Sequence, residues 1–163
     1  MATKLIDKDK GWNRLKKTLK SFKDDELVVG IPGKIDFGEP TQAAIGAVHE
    51  FGSVDGKTKS RSFLRSTFDK NVNKYDKELT RNIARAVKKG SPIKQGLFVL
   101  GETVRKDVID AVKNREIRQD IAEATKQALV PGTSTKRGDG PALVSTGTMI
   151  SAQGIVSIVR PRK

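Results

Sequence analysis

At 163 residues the chain fits a single domain, and a domain of this size buries roughly 70% of its unfolded surface without cross-links. It holds no cysteine, which excludes disulfides, thiolate metal sites and a cysteine nucleophile. Lys and Arg total 32 against 19 acids, and the formal charge of +13 points to a polyanion or an acidic partner.

The opening residues, MATKLIDKDKGW, contain no apolar run suited to a signal peptide. No apolar run approaches the ~18 residues of a membrane span, so no membrane contact is expected. One domain over 1–163 is expected, with mobile segments near 53–60 and 131–141.

In residues 11–23, Trp12, Leu15, Leu19 and Phe22 recur at helical spacing, with Lys16, Lys17, Lys20 and Lys23 between them. This predicts an amphipathic helix whose apolar stripe covers the following strand. The alternative use of such a helix is a membrane surface. Residues 26–32, ELVVGIP, read as that strand, rich in β-branched residues and ended by Pro32. The loop over 33–40 carries Ile35 and Phe37 and has the makings of a second short strand.

Thr41 has the chemistry of an N-cap, and Gly52 that of a residue ending the helix between them. Ala44, Ile45, Val48 and Phe51 would share one side of it. Residues 53–60, SVDGKTKS, are polar and contain Asp55-Gly56, a turn signal.

Phe68, Val72, Tyr75, Leu79, Ile83 and Val87 then mark one face of a long helix. Gly90-Ser91-Pro92 reads as a stop, a cap and a first helical position. Ile93, Leu97, Leu100, Val104, Val108 and Ala111 repeat the pattern. Two long helices with so short a link fold back as an antiparallel hairpin. The outer face of the first carries Lys74, Lys77, Arg81, Arg85, Lys88 and Lys89, opposed by Asp76 and Glu78.

Ile117, Ile121, Ala124 and Ala128 predict a weaker helix ended by Pro131-Gly132. A linker over 132–141, a helical turn over 146–152 and a terminal strand over 154–160 complete the chain. The class is α+β: a small, mostly antiparallel sheet, joining the strands at 26 and 154 and with residues near Ile35 or Ser62 as further candidates, against a long antiparallel helix pair plus a short N-terminal helix.

Few residues suggest chemistry. His49 is the only histidine, and His49-Glu50 is half of a zinc-protease motif whose second histidine position holds Ser53. No serine sits in a Gly-x-Ser-x-Gly elbow. Gly30-Ile31-Pro32-Gly33-Lys34 lacks phosphate-loop spacing, and Asp24-Asp25 lies beside lysine at a helix end. No catalytic residue, metal site or cofactor is expected, and His49 suits a structural hydrogen bond or an interface. Aromatics make up 5% and fall on apolar stripes, which argues against base stacking but leaves sequence-neutral phosphate contact.

Ala44-Ile45-Gly46-Ala47-Val48-His49-Glu50-Phe51-Gly52, followed by a polar loop and Ser60-Arg61-Ser62-Phe63-Leu64-Arg65, resembles the small tail-completion or neck proteins of long-tailed bacteriophages. Their pattern is a helix ending in His-Glu-Phe-Gly, a variable loop, then Ile-Pro-x-Arg-x-Phe-Leu-Arg leading into a long helix. Thr58-Lys59 stands here where those proteins have Ile-Pro. A second match is Lys136-Arg137-Gly138 followed by residues 141–151, PALVSTGTMIS, with Ser145 for the family's Asp and Met149 for its Leu.

The resemblance implies a structural virion protein with no enzymatic activity. It would form a homo-oligomeric ring, sixfold by the family's habit, in the neck or at the head-proximal end of the tail. Its partners would be copies of itself, the connector or adaptor and the tail tube or sheath proteins, with assembly in the host cytoplasm. Genomic DNA would pass through it. The implied interface residues are His49, Glu50, Phe51, Gly52, Arg61, Phe63, Leu64 and Arg65. Lys57, Lys59, Lys136 and Arg137 are the candidates for contact with DNA or an acidic partner. A free-standing, sequence-neutral DNA-binding protein is the alternative, and a hydrolase using His49 a distant third.

Overall fold

The computed structural model describes residues 11–33, 41–114, 116, 117, 127, 136 and 154–162. Within them the order is α1 (Trp12–Asp24), β1 (Asp25–Gly30), α2 (Gln42–Phe51), α3 (Leu64–Lys89), α4 (Lys94–Lys113) and β2 (Val156–Pro161). The expected α+β class holds, with a long helix pair packed with an antiparallel two-stranded sheet.

β1 and β2 pair from Asp25 opposite Pro161 to Gly30 opposite Val156. The pairing joins the two ends of the chain's described part. Ser62 is not a strand residue but the approach to α3, and Ile35 lies outside the described residues. Side chains alternate across a strand, so Leu27, Val29 and Val159 face the helices while Val28 and Ile158, directly opposite each other, stay partly exposed.

α4 lies on this sheet. Every position of its expected stripe except Ile93, the residue just before the helix, falls within it, and Ile93, Leu97, Leu100, Val104, Val108 and Ala111 are all buried. Close approach depends on Gly101, where a Cβ would stand 2.7 Å from Leu27 Cδ1 and 2.8 Å from Ser157 Cβ. The leucine tip can move, but the Ser157 Cβ is fixed to the backbone of β2. Gly101→Val is expected to cost about 2 kcal/mol by overpacking, read as a lower urea midpoint at unchanged m-value. Arg105 reinforces the same contact, donating from Nε to the Ile155 carbonyl at 2.7 Å, while the Ser157 hydroxyl donates to Glu102.

α3 packs antiparallel on α4. Gly90 ends α3 in the left-handed conformation, φ 66°, and the amides of Gly90 and Ser91 both donate back to the Ala86 carbonyl. Ser91 is not the cap of α4, contrary to the expectation from sequence. That helix begins at Lys94 after Ile93, with no side-chain cap. The hairpin is instead fastened by the buried Asn82, whose Nδ2 donates to the Gly96 carbonyl at 3.0 Å.

Three apolar stripes need correction. On α3, Tyr75 is buried, but Phe68 and Val72 are 47% and 44% exposed because they line open clefts beside β1 instead of pressing on α4. On α2, the small residues Ala43, Ala44 and Gly46 face inward, and Ile45 and Phe51 outward. A Cβ on Gly46 would meet Ile31 Cδ1 at 2.4 Å, so the slim side is the packed one. On α1, Thr18 is buried while Trp12 and Leu19 are mostly exposed, so the helix covers the strand less than its pattern predicts. α1 meets α3 instead, where Arg14 donates to the Lys88 carbonyl at 3.3 Å.

Candidate functional site: a carboxylate latch between two helices

α2 ends and α3 begins within a dozen residues, and the two ends complete each other. The Thr41 hydroxyl starts α2 by accepting from the Ala44 amide at 3.1 Å. Gly52 closes it, its amide donating to the Val48 carbonyl at 2.8 Å. The last-turn carbonyls of a helix lack internal partners. Here the returning chain supplies them: the Arg61 amide donates to the His49 carbonyl at 2.6 Å, and the Ser60 hydroxyl to the Glu50 carbonyl at 2.8 Å.

The reciprocal half is made by the Glu50 side chain, which is buried. α3 starts after Phe63, a residue with no side-chain acceptor, so its first amides have no local cap. Glu50 provides one from thirteen residues upstream. Its Oε2 accepts from the amides of Phe63 at 2.8 Å and Leu64 at 3.0 Å. Its Oε1 accepts from the Arg65 amide at 3.0 Å and the Ser62 hydroxyl at 2.7 Å. A negative charge at this position also meets the positive end of the α3 dipole.

His49, the residue before Glu50, meets Arg61 across the same junction. Arg61 Nη1 lies 3.4 Å from His49 Nδ1. Arginine only donates, so Nδ1 is the acceptor of a neutral imidazole. Burial first, and the Arg61 guanidinium second, hold the His49 pKa below its ordinary value. The neutral ring is therefore the form this site favours, and among the described residues no carboxylate hydrogen-bonds to it.

The loop between the helices is tied to itself. The Ser53 amide donates to the Thr58 carbonyl at 2.9 Å, and the Thr58 amide to the Ser53 hydroxyl at 2.8 Å. Ser53 in turn donates to Asp55, which accepts from the Lys57 amide and pairs with the Lys57 ammonium at 3.2 Å.

The eight residues singled out from the sequence thus meet at one place but split by role. Phe63 is fully buried against Val108, Val112, Ile117 and Ile155. Glu50 and Arg61 are internal, and Leu64 is half-buried. Phe51 and Arg65 remain on the surface, the guanidinium carbon 5.6 Å from the ring centroid. They border a cleft of about 400 Å³ between β1, α2 and α3, whose walls include Val29, Ile31, Ala47 and Phe68. Of the four cations named for DNA contact, Lys57 is ion-paired and Lys136 donates to Gln127. Lys59 is exposed, and Arg137, like the second motif match over 141–151, lies outside the described residues.

No group of three or more potential metal ligands occurs among the described residues, and no described helix is long and apolar enough to cross a membrane. What fold and site define together is a small, helix-rich α+β protein whose signature residues form a helix–loop–helix latch. No protein-family model, curated protein or solved structure matches the chain.

Proposed function

We propose that the chain is a structural virion protein: a subunit of a ring in the neck, or at the head-proximal end of the tail, of a long-tailed bacteriophage, joining tail tube to head connector around the DNA channel. One observation carries this reading. The two parts of the phage-like motif, separated by a loop, converge on the Glu50 carboxylate, and all of its acceptor contacts serve the backbone and one serine of α3's first turn. Such a motif commits its central carboxylate to holding the fold. It also sets Phe51 and Arg65 on the surface beside an apolar cleft, where a second copy of the chain is the fitting occupant.

Light scattering with negative-stain imaging tests the reading. Rings with a central hole are expected, either from the purified chain or on added tails that lack this protein. Phe51→Asp should abolish them while leaving the circular dichroism unchanged. A chain that remains monomeric and does not bind such tails would overturn the proposal. The second reading, a free-standing DNA-binding protein, needs no ring and draws on the uneven distribution of the chain's positive charge.

A further inference from the structure

The net charge is not evenly spread. Residues 11–23 contain five cations and no acid, and residues 79–101 again contain five cations and no acid. The fold brings these two stretches together. Arg14 of α1 reaches the Lys88 carbonyl near the end of α3, and its side chain lies against Gly90.

Ion pairing sharpens the contrast along α3. Lys70 pairs with Glu116 and Lys74 with Asp107, so the first half of the helix is neutralised. Lys77, Arg81, Arg85, Lys88 and Lys89 are exposed and form no ion pair among the described residues, and the same holds for Arg14, Lys17 and Lys20 on α1. Lys77, Arg81, Arg85 and Lys88 follow each other at four, four and three residues, which keeps them on one side of the helix over roughly 17 Å. The exposed positions between them include the small Thr80 and Ala84, so nothing bulky holds a flat partner away.

We infer that this cation-rich end, built from residues 14–20 of α1 and the second half of α3, where the one acid, Glu78, accepts from the Thr103 hydroxyl, is the face that binds the phosphate backbone of double-stranded DNA without reading sequence. The inference deepens the proposed neck role and rests on it for the choice of DNA as the polyanion. Duplex DNA presents one charge per about 1.7 Å of axis, a continuous line that suits cations strung along two adjoining rods. An acidic protein would match them only point by point. The contacts fix position and not sequence. The loop cations are poorer candidates, since Lys57 already has its counter-charge in Asp55.

Fluorescence anisotropy of the full chain with a labelled random-sequence duplex, over a salt series, tests the assignment. The triple variant Lys77→Gln, Arg81→Gln, Lys88→Gln is compared with Lys57→Gln, Lys59→Gln, Lys136→Gln, which removes the same charge elsewhere. The first should weaken binding at least tenfold at low salt. It should also flatten the slope of log K against log salt by roughly 0.9 for each phosphate no longer neutralised. The second should change affinity less than threefold. Equal weakening by both would reduce the effect to net charge and overturn the assignment. So would wild-type binding to polyglutamate or to phosphatidylserine vesicles but not to DNA. Ring formation, measured on the same samples by light scattering, is read separately, so a failed neck reading and a failed DNA face give different results.

Discussion

Glu50→Ala is expected to destabilise the fold by about 4 kcal/mol. The carboxylate accepts three backbone amides and one hydroxyl at the start of α3, all between 2.7 and 3.0 Å. Hydrogen bonds to a charged acceptor contribute ~1.5–3 kcal/mol each, and stranded donors add a desolvation cost. Water entering the space left by the side chain recovers part of this stability, which keeps the total below the simple sum. For a domain of this size the melting temperature should fall by roughly 8–16 °C. Glu50→Gln separates charge and geometry from bulk. It fills the same volume but turns an amide NH2 toward backbone donors, so the fold should still be weakened by about 2–3 kcal/mol. Urea midpoints at constant m-value measure both. An alanine variant within ~1 kcal/mol of wild type would show that the latch is not what holds α2 to α3.

Gly52→Ala should cost about 3 kcal/mol, for a different reason. Gly52 sits at φ 89°, ψ 167°, a region that side chains other than glycine's hardly enter. A Cβ there would also stand 3.2 Å from the Thr58 carbonyl oxygen and 3.3 Å from the Ser60 amide nitrogen, both backbone atoms of the returning loop. Neither can yield freely, because the Thr58 carbonyl holds the Ser53 amide and the Ser60 hydroxyl caps α2 at the Glu50 carbonyl. Gly56 provides the control: its φ is 71°, but a Cβ would meet nothing within 4 Å. Gly56→Ala should therefore cost only about 1 kcal/mol, that of left-handed backbone alone. If thermal melts place the two variants together, neither crowding nor the glycine-only dihedral adds anything at Gly52 beyond the ordinary left-handed cost.

These two residues show how much of the site can be read without a structure. The motif His49-Glu50-Phe51-Gly52 is visible as a helix end, and Gly52 as its stop, because those are local rules of backbone geometry. The role of Glu50 is not visible. A glutamate in the last turn of a helix is locally unfavourable, and it makes sense only when the first turn of α3 is brought against it. The sequence even offers Ser62 as a local cap, but the structure starts α3 after Phe63 with no side-chain cap and turns the Ser62 hydroxyl to Glu50 instead. A long helix without a local cap invites a search for a distant one.

The sequence by itself determined the helix pair, the terminal strands and the α+β class, because 3.6-residue and two-residue periods are properties of single segments. It also set the loop and its turn at Asp55-Gly56. Tertiary structure alone decided which periodic residues are covered. Phe68, Val72, Trp12 and Ile45 fit their stripes but face clefts or solvent, while Thr67, Asn82 and Thr18 are buried. A stripe defines a direction around a helix, and whether a neighbour stands in that direction depends on elements far away in the chain. The same holds for charge. The two acid-free stretches are separated by more than fifty residues. They become one face only because α1 docks against the end of α3.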